Sequence, residues 1–269
     1  MRGFFIFIIL VGAIFLGITE VSAQLMIETG KVQEEIIPGK MIVGSVTIYN
    51  SSNKPLDIRV YLEDFTYLPP FDGVKKFFPA GTTERSCSDW IRFSPQEFRL
   101  APRKGKKVSY SIKVPEDVQG GYYSVLFFET SPGALQKEKI DLKLIQRIGC
   151  LFFLETSTRS KKAKIESLSS IGDTLKGNFS NQSDVILAPK GIFYVMDSSG
   201  QVVERAEITP FYLPPGEKAD FTMDMPGNMS LGQYTLVLTF DLGGGDCVVK
   251  EIDFFKKGTE DLSISQVRD

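Results

Sequence analysis

One phrase occurs twice in the chain and constrains its fold more than any other feature. The first copy begins at Phe98 and the second at Phe211, and each reads Phe-x-Leu-x-Pro followed by an alternating apolar run. A second proline closes the run, and a glycine and then a tyrosine follow at matching distances. These positions are Pro115, Gly121 and Tyr123 in the first copy and Pro226, Gly232 and Tyr234 in the second. One module of about a hundred residues is therefore expected to occur twice.

The stretches upstream of the two copies also correspond. Asn50, Leu56 and Asp64 match Asn181, Leu187 and Asp197, with the first spacing equal and the second differing by two residues. Period-2 alternation over short runs, with turn residues between them, is typical of an antiparallel sandwich. The Gly-x-Tyr pair fits the tyrosine corner of immunoglobulin-like domains, in which the phenol binds backbone upstream. We expect an all-β chain of two tandem immunoglobulin-like β-sandwiches.

The ends of the chain predict an exported protein. Residues 1–23 have a basic Arg2, an apolar core from Phe4 to Ile18 and a small-x-small end, which is the signal-peptide pattern. The apolar core is shorter than the ~20 residues needed to span a bilayer. The predicted organisation is a signal peptide at 1–23, domains at 24–157 and 158–256, and a disordered tail at 257–269. The mature chain is expected to lack a membrane span and to lie in the periplasm or cell envelope.

Composition excludes several classes of function. The chain has no histidine, which removes Ser-His-Asp and Cys-His nucleophile pairs and the commonest zinc ligand. The net charge of −2 gives no footprint for nucleic acid. We therefore expect no catalytic residue, no metal and no cofactor. Cys87, Cys150 and Cys247 leave at least one cysteine unpaired; a Cys87–Cys150 bridge and three isolated buried thiols are both open.

The phrase around the first copy resembles a known family. Phe93, Pro95, Phe98, Leu100 and Pro102, preceded by VTIYNSSNKPLDIRVYLED, are similar to the periplasmic pilus-assembly chaperones. The resemblance covers most of residues 25–155 and, by its two-domain architecture, the rest. It implies that the last strand of the first domain fills the place of a strand missing from a pilus subunit. It also implies that two basic residues in the interdomain cleft anchor the subunit's terminal carboxylate.

The strand that matches the family's donor strand is KIDLKLIQRIGCLFFLE, residues 139–155, which is longer than the usual ~5–6 residues. The resemblance implies that a secreted β-rich subunit contacts Ile140, Leu142, Leu144, Arg147, Ile148, Cys150 and Phe152. The alternative is a strand buried between the two sheets. Arg147 matches one of the family's basic positions. The first strand offers only Lys31, at the end opposite to the family's second basic residue.

A second resemblance favours a different partner. The phrases QLMIETGKVQEEIIPGKMIVGSVTIYNSS, IKVPEDVQGGYYSVLFFE, IQRIGCLFFLE and LAPKGIFYVMDSSGQVV resemble WxL-interacting surface proteins. That family implies adhesion to cell-wall polymer and to other proteins. The alternative function is therefore a surface adaptor that binds through the long loop at 67–89, where aromatic residues look exposed. The sequence DLGGGD at 241–246 predicts a tight hairpin rather than a phosphate loop.

Overall fold

Alternating apolar and polar residues produce β-strands along the whole of the computed structural model, which describes residues 24–131, 133–137 and 140–269. The predicted signal peptide, residues 1–23, lies outside the described residues. Among the residues that are described, one short 3₁₀ turn, Ser88–Trp90, interrupts the strands, and no helix has the length and apolar character to cross a bilayer. The all-β prediction is confirmed.

The first module is a sandwich of two sheets whose apolar faces enclose a common core. Its strands are β1 (Leu25–Ile27), β2 (Lys31–Ile36), β3 (Met41–Asn50), β4 (Leu56–Tyr67), β5 (Lys75–Pro79), β6 (Ile91–Ser94), β7 (Glu97–Leu100), β8 (Gly105–Lys113), β9 (Gly121–Thr130), β10 (Gly133–Lys137), β11 (Ile140–Leu144) and β12 (Arg147–Thr156). One sheet has the order β1-β3-β8-β6 and the other β2-β12-β9-β4-β5, with β7 also paired to β4. Strands β10 and β11 form a separate hairpin.

The second module repeats this plan. Its strands are β13 (Ala163–Ile171), β14 (Thr174–Asn181), β15 (Lys190–Asp197), β16 (Val202–Glu207), β17 (Lys218–Asp224), β18 (Gly232–Gly243), β19 (Asp246–Gly258) and β20 (Asp261–Arg268). The sheets have the orders β13-β14-β17 and β16-β15-β18-β19-β20. Phe179, Phe193, Phe240 and Phe254 are fully buried between them. The predicted hairpin at 241–246 joins β18 to β19 through three glycines with positive φ.

Two expectations about local structure are wrong, and one alternative that the sequence left open is resolved. The tail at 257–269 is not disordered, because β20 pairs with β19 and Arg268 binds Asp253 and Glu251. Residues 139–155 do not form one strand, since β11 ends at Leu144 and β12 begins at Arg147. The Cys87–Cys150 bridge is absent: both thiols are free and fully buried, whereas Cys247 is free and exposed.

The loop at 67–89 is folded rather than extended into solvent. Strand β5 pairs with β4, and Phe71 is buried. The buried carboxylate of Asp64 accepts hydrogen bonds from the Thr82 and Thr83 amides at 2.8 and 2.9 Å, and from the Ser86 and Ser88 hydroxyls at 2.7 and 2.6 Å. This network gathers residues 82–88 around one side chain. Of the aromatic residues predicted as exposed, Phe77 packs on Phe127 and Trp90 packs on Tyr122, with ring centroids 5.0 and 4.5 Å apart, and both are half-buried.

Candidate partner-binding site

Strand β12 is covered along only part of one side. On one side it pairs antiparallel with β9 over residues Arg147–Glu155. On the other side it pairs parallel with β2, but only from Leu151 to Thr156. In the described part of the chain, no strand is in register with residues 147–150 on the β2 side. Residues 147–150 therefore lack a strand partner on this side, although the start of β1 lies close by, where the Gln146 side chain accepts from the Gln24 and Leu25 amides at 3.2 and 3.0 Å.

The direction of the backbone groups identifies what this edge offers. The Leu151 amide donates to the Gly30 carbonyl at 2.9 Å on the β2 side, whereas the Thr156 amide donates to Gly120 at 3.0 Å on the β9 side. Successive residues of a strand direct their backbone groups to alternate sides. Arg147 and Gly149 therefore turn their N–H and C=O groups toward the open side. These groups are available to an added strand.

The hairpin of β10 and β11 extends the same edge. Strand β11 pairs antiparallel with β10, from Ile140 opposite Lys137 to Leu144 opposite Gly133. No other described strand is in register with β11. Three residues predicted to contact a partner, Ile140, Leu142 and Leu144, lie on this strand. Ile145, between β11 and β12, is 51% exposed. Ile140, Leu142 and Leu144 thus lie on a strand that has one unpaired side and leads into β12.

Two of the predicted contact residues belong to the core instead. Cys150 and Phe152 have no exposed surface and pack among the buried side chains of the first sandwich. Burial raises the pKa of the Cys150 thiol to about 12. Ile148 is half-buried against the same cluster. Because the strand alternates, these even-numbered side chains face the opposite sheet, and the prediction that Cys150 and Phe152 touch a partner is corrected.

Arg147 lies on the outer face of the same sheet. Its guanidinium is 4.0 Å from the centroid of the Phe127 ring and 5.3 Å from that of Phe77, and it donates to Glu63 at 3.3 Å. Gly149 makes room for this arrangement, since a Cβ there would lie 2.9 Å from the Phe127 ring. The hydrogen bond from Arg147 to the Tyr61 hydroxyl is the largest cause that raises the pKa of Arg147, and the Glu63 carboxylate raises it further.

The basic cleft between the domains is built from other residues. A cavity of about 440 Å³ is lined by Lys31, Gln33, Phe153 and Glu155 of the first domain and by Lys161, Lys190, Tyr212, Asp241 and Gly243, among others, of the second. Phe153 is six residues from Arg147, or about 20 Å along an extended strand. Arg147 therefore lies outside the cleft, and the expectation that it supplies one of the anchoring charges is not supported.

Lys31 occupies the floor of the cleft because the first strand is broken. Gly30 ends the turn after β1, and Lys31 begins β2 beside Leu151. The Lys31 ammonium is 4.1 Å from the Phe153 ring centroid, and burial lowers the pKa of Lys31, while the charge of Glu155 acts in the opposite direction. From the sequence, Lys31 was placed at the end of the first strand opposite to the family's second basic residue. Gly30, directly before Lys31, was the signal that this strand is broken into β1 and β2.

The cleft has more positive than negative groups. Lys31, Lys161 and Lys190 face Glu155 and Asp241. Lys161 donates to the carbonyls of Leu242 and Gly243 at 2.9 and 3.2 Å, which fixes it at the cleft wall. Burial raises the pKa of Glu155, an effect that its basic neighbours oppose. A carboxylate is therefore a suitable ligand for the ammonium groups of this cleft.

Direct contacts between the domains fix the shape of the cleft. The rings of Tyr67 and Tyr212 stack at 4.9 Å between centroids, and the Tyr212 amide donates to the Phe71 carbonyl at 2.8 Å. The Ile186 amide donates to the Tyr123 hydroxyl at 2.7 Å. One buried hydrophobic cluster contains residues of both domains. These contacts hold the two walls of the cleft together.

Comparison with known proteins identifies the fold. No protein-family model and no curated protein matches the chain. A chain from the chaperone–tip adhesin complex of CFA/I fimbriae biogenesis is similar in structure, at 14% identity and a TM-score of 0.50, covering 90% of this chain and 98% of that one. The class 5 fimbriae chaperone CfaA is similar at 13% identity and a TM-score of 0.48, covering 84% of this chain and 97% of that one.

The YadV chaperone is also similar, at 12% identity and a TM-score of 0.45, with 86% of this chain and 100% of that chain covered. Together with the two sandwiches described above, the first of these similarities identifies the fold. The chain has the two-domain immunoglobulin-like fold of the pilus-assembly chaperones. This confirms the resemblance read from residues 93–102.

Proposed function

We propose that this chain is a non-catalytic, exported chaperone-like protein that binds a secreted β-rich subunit by strand addition. The observation that carries the proposal is the free edge formed by β11 and residues 147–150 of β12. Backbone hydrogen bonds to such an edge supply affinity, and alternate side chains supply specificity. The fold shared with a chain of a chaperone–tip adhesin complex supports the same assignment.

The proposed set of contact residues is smaller than the set predicted from sequence. Ile140, Leu142 and Leu144 remain the proposed apolar contacts, and Arg147 and Gly149 contribute backbone groups. Ile148 lies at the boundary between the edge and the core. Pairing of β12 with β2 at Leu151 sets the end of the available edge.

The cleft supplies the proposed anchor for the subunit's terminal carboxylate. Lys31 and Lys190 are exposed within it, whereas Lys161 is held by two backbone carbonyls. A terminal carboxylate at the cleft would fix the register of the strand lying along β12. The alternative of an adaptor binding cell-wall polymer through residues 67–89 has less support, because that segment is folded around Asp64 and packs on the sheet.

The test is site-specific crosslinking in the native envelope fraction. A photoreactive phenylalanine analogue replaces Ile145, which is 51% exposed beside the edge, and crosslinked proteins are identified by mass spectrometry. We expect one dominant secreted β-rich protein. Leu142→Asp with Leu144→Asp should reduce its capture by at least about tenfold, because a buried charge opposes the apolar contact. Lys31→Ala with Lys190→Ala should weaken capture less.

A matched control keeps the result interpretable. Leu231 and Val202, in the second domain, are 69% and 51% exposed, and Leu231→Asp with Val202→Asp adds the same two charges away from the edge and the cleft. Circular dichroism of each purified variant reports whether it is folded. Unchanged capture by the folded Leu142→Asp, Leu144→Asp variant would contradict strand addition. Unfolding of that variant would show that β11 is part of the core, which also contradicts the proposal.

A further inference from the structure

Strand β3 has an open edge on the sheet opposite to the proposed partner site. Strand β8 pairs with β3 along one side from Met41 to Tyr49. On the other side, β1 pairs only with residues 48–50, and the Glu28 amide donates to the Thr47 carbonyl at 2.9 Å. In the part of the chain that the structure describes, no strand is in register with residues 41–46 on this side.

Three residues present their backbone groups to this opening. The Lys40 carbonyl accepts from Val114 on the β8 side, and the Thr47 carbonyl accepts from Glu28 on the opposite side. Alternation along the strand therefore directs the N–H and C=O groups of Met41, Val43 and Ser45 toward the open edge. Edges in stable monomers are usually protected by charged residues, proline or a bulge. Here residues 41–50 carry no charge and no proline.

The side chains on this edge are unusually exposed for apolar residues. Val43 is 75% exposed and Met41 is 65% exposed, and both lie on the solvent face of the sheet. An uncharged strand with alternating apolar residues is complementary to another uncharged strand of the same kind. Lysines and acidic residues in an added strand would find no opposite charge along this edge, so the surface favours a neutral partner.

We propose that the open edge of β3 is a self-association surface, in which the β3 strands of two copies pair antiparallel about a two-fold axis at Val43. In this antiparallel pairing, Val43 lies opposite Val43 of the second copy and Met41 lies opposite Ser45. Each of the three edge-directed residues then donates its N–H and accepts at its C=O across the contact. The contact is isologous, so one surface serves both copies. The contact is independent of strand addition, because β3 and β12 belong to different sheets.

The short ladder sets the expected strength. Five residues per copy form a contact below the size of a standard interface, so association is expected to be weak and transient. Sedimentation equilibrium of the purified protein should show the average mass rising from monomer toward dimer with concentration. Val43→Lys places two ammonium groups opposite each other at the axis and should keep the protein monomeric over the same range.

The matched control uses an exposed apolar residue on an internal strand. Phe255 on β19 is 38% exposed and is paired with Gln233 of β18 and with Ser263 of β20. Phe255→Lys adds the same charge without touching an open edge and should leave the mass profile unchanged. Thermal unfolding of both variants reports whether they remain folded.

Disulfide trapping tests the register itself. Cys247 is exposed and is replaced by serine, whereas Cys87 and Cys150 are buried. Across the proposed axis, the Cα atoms of a hydrogen-bonded pair at position 43 would be about 5.5 Å apart, which is within disulfide range. Two copies of residue 41 would be about 13 Å apart, which is outside it. Val43→Cys should therefore oxidise to a dimer, Met41→Cys alone should not, and Met41→Cys mixed with Ser45→Cys should.

Three results would overturn the proposal. A monomer at all concentrations with no crosslink at position 43 shows that the edge does not self-associate. Equal dimer formation by Val43→Cys and Met41→Cys alone shows random collision rather than the proposed register. A crosslink from position 43 to a different protein in the envelope fraction, with none between copies, assigns the edge to another partner.

Discussion

The two sandwiches share a buried asparagine that ties together the same three places in each domain. The Asn50 amide group donates to the Lys54 and Leu100 carbonyls at 2.7 and 3.2 Å, and its oxygen accepts from the Ser52 amide at 2.9 Å. The Asn181 amide group donates to the Val185 and Leu213 carbonyls at 2.9 and 2.8 Å, and its oxygen accepts from the Ser183 amide at 2.8 Å. The offsets to the two nearby partners are the same in both domains, at two and four residues, whereas the leucine lies 50 residues on in the first domain and 32 in the second.

Other repeated positions have different contacts. The Tyr234 hydroxyl donates to the Ser230 carbonyl at 2.9 Å within its own domain, which is the predicted tyrosine corner. The Tyr123 hydroxyl instead accepts from Ile186 in the other domain. Asp64 is buried and gathers residues 82–88, whereas Asp197 caps an exposed turn through Ser199.

The difference separates two kinds of position in the repeated module. Positions that close the sandwich on itself have the same bonds in both copies. Positions near the domain contact or the inserted loop have the same residue type but a different partner. At one matching place the residue type differs as well, since Arg99 is exposed while Tyr212 stacks on Tyr67 across the domain contact.

The largest expected effect distinguishes the two aspartates. Asp64→Ala should lower the free energy of unfolding by about 4 kcal/mol, because it leaves several buried donors without an acceptor. Asp197→Ala removes bonds at an exposed turn and should have a much smaller effect on the midpoint of urea unfolding. Equal shifts in the two variants would mean that the Asp64 network does not hold residues 82–88.

Asp64 should also make the free energy of unfolding depend on pH. Burial raises the pKa of Asp64, but its hydrogen bonds from Ser88, Thr83 and Ser86 outweigh burial and lower the pKa below the usual 3.8. The stabilisation is therefore complete above about pH 4 and is lost as the pH falls through the lower pKa of the folded state. Asp64→Ala should flatten the stability profile in this acid range, as measured by urea unfolding at several pH values.

The next largest effect tests the equivalence of the two asparagines. Asn50→Ala and Asn181→Ala should each destabilise their domain by about 3 kcal/mol, since each leaves two carbonyls and an amide unsatisfied in buried surroundings. Hydrogen exchange by domain would localise each effect. Similar losses in the two domains support one shared closure. A loss in only one domain would show that the matching bonds do not contribute equally.

The matching asparagines and the tyrosine corner of the second domain could be predicted because their partners are close in sequence or lie in the repeated phrase. The role of Tyr123 could not, because the Ile186 amide that it binds lies 63 residues away in the other domain. The spacing from glycine to tyrosine is the same in both copies. Only the packing of one domain against the other decides which bond forms.

The candidate site could be predicted only in part, as was the case for the repeated residues. Alternation along 139–155 identified the segment that carries the free edge, because strand periodicity is a local property. It could not show that β2 covers Leu151–Thr156, because that parallel pairing joins residues more than a hundred positions apart. Cys150 and Phe152 were therefore assigned to a partner although their side chains belong to the core. Lys31 was named from the sequence, but its place in the cleft depends on the same parallel pairing and could not be predicted.

The smallest expected effect concerns the two tyrosine hydroxyls. Tyr123→Phe and Tyr234→Phe each remove one hydrogen bond and should each cost about 1 kcal/mol. The consequence should differ, because Tyr123 couples the domains and Tyr234 acts within one. In Tyr123→Phe the Ile186 amide loses its acceptor at the domain contact. Calorimetry should therefore show broader, less cooperative unfolding of the two domains.

Tyr234→Phe is the matched control, with the same atom removed from the same place in the other copy. It should lower the stability of the second domain while leaving the coupling between domains unchanged. Small-angle scattering gives a second measurement, since weaker coupling in Tyr123→Phe should broaden the distribution of interatomic distances. Unfolding of Tyr123→Phe with unchanged cooperativity would show that the Tyr67–Tyr212 stack and the shared hydrophobic cluster suffice to couple the domains. The two tyrosine hydroxyls would then differ in their hydrogen-bond partners but not in their effect on the coupling of the domains.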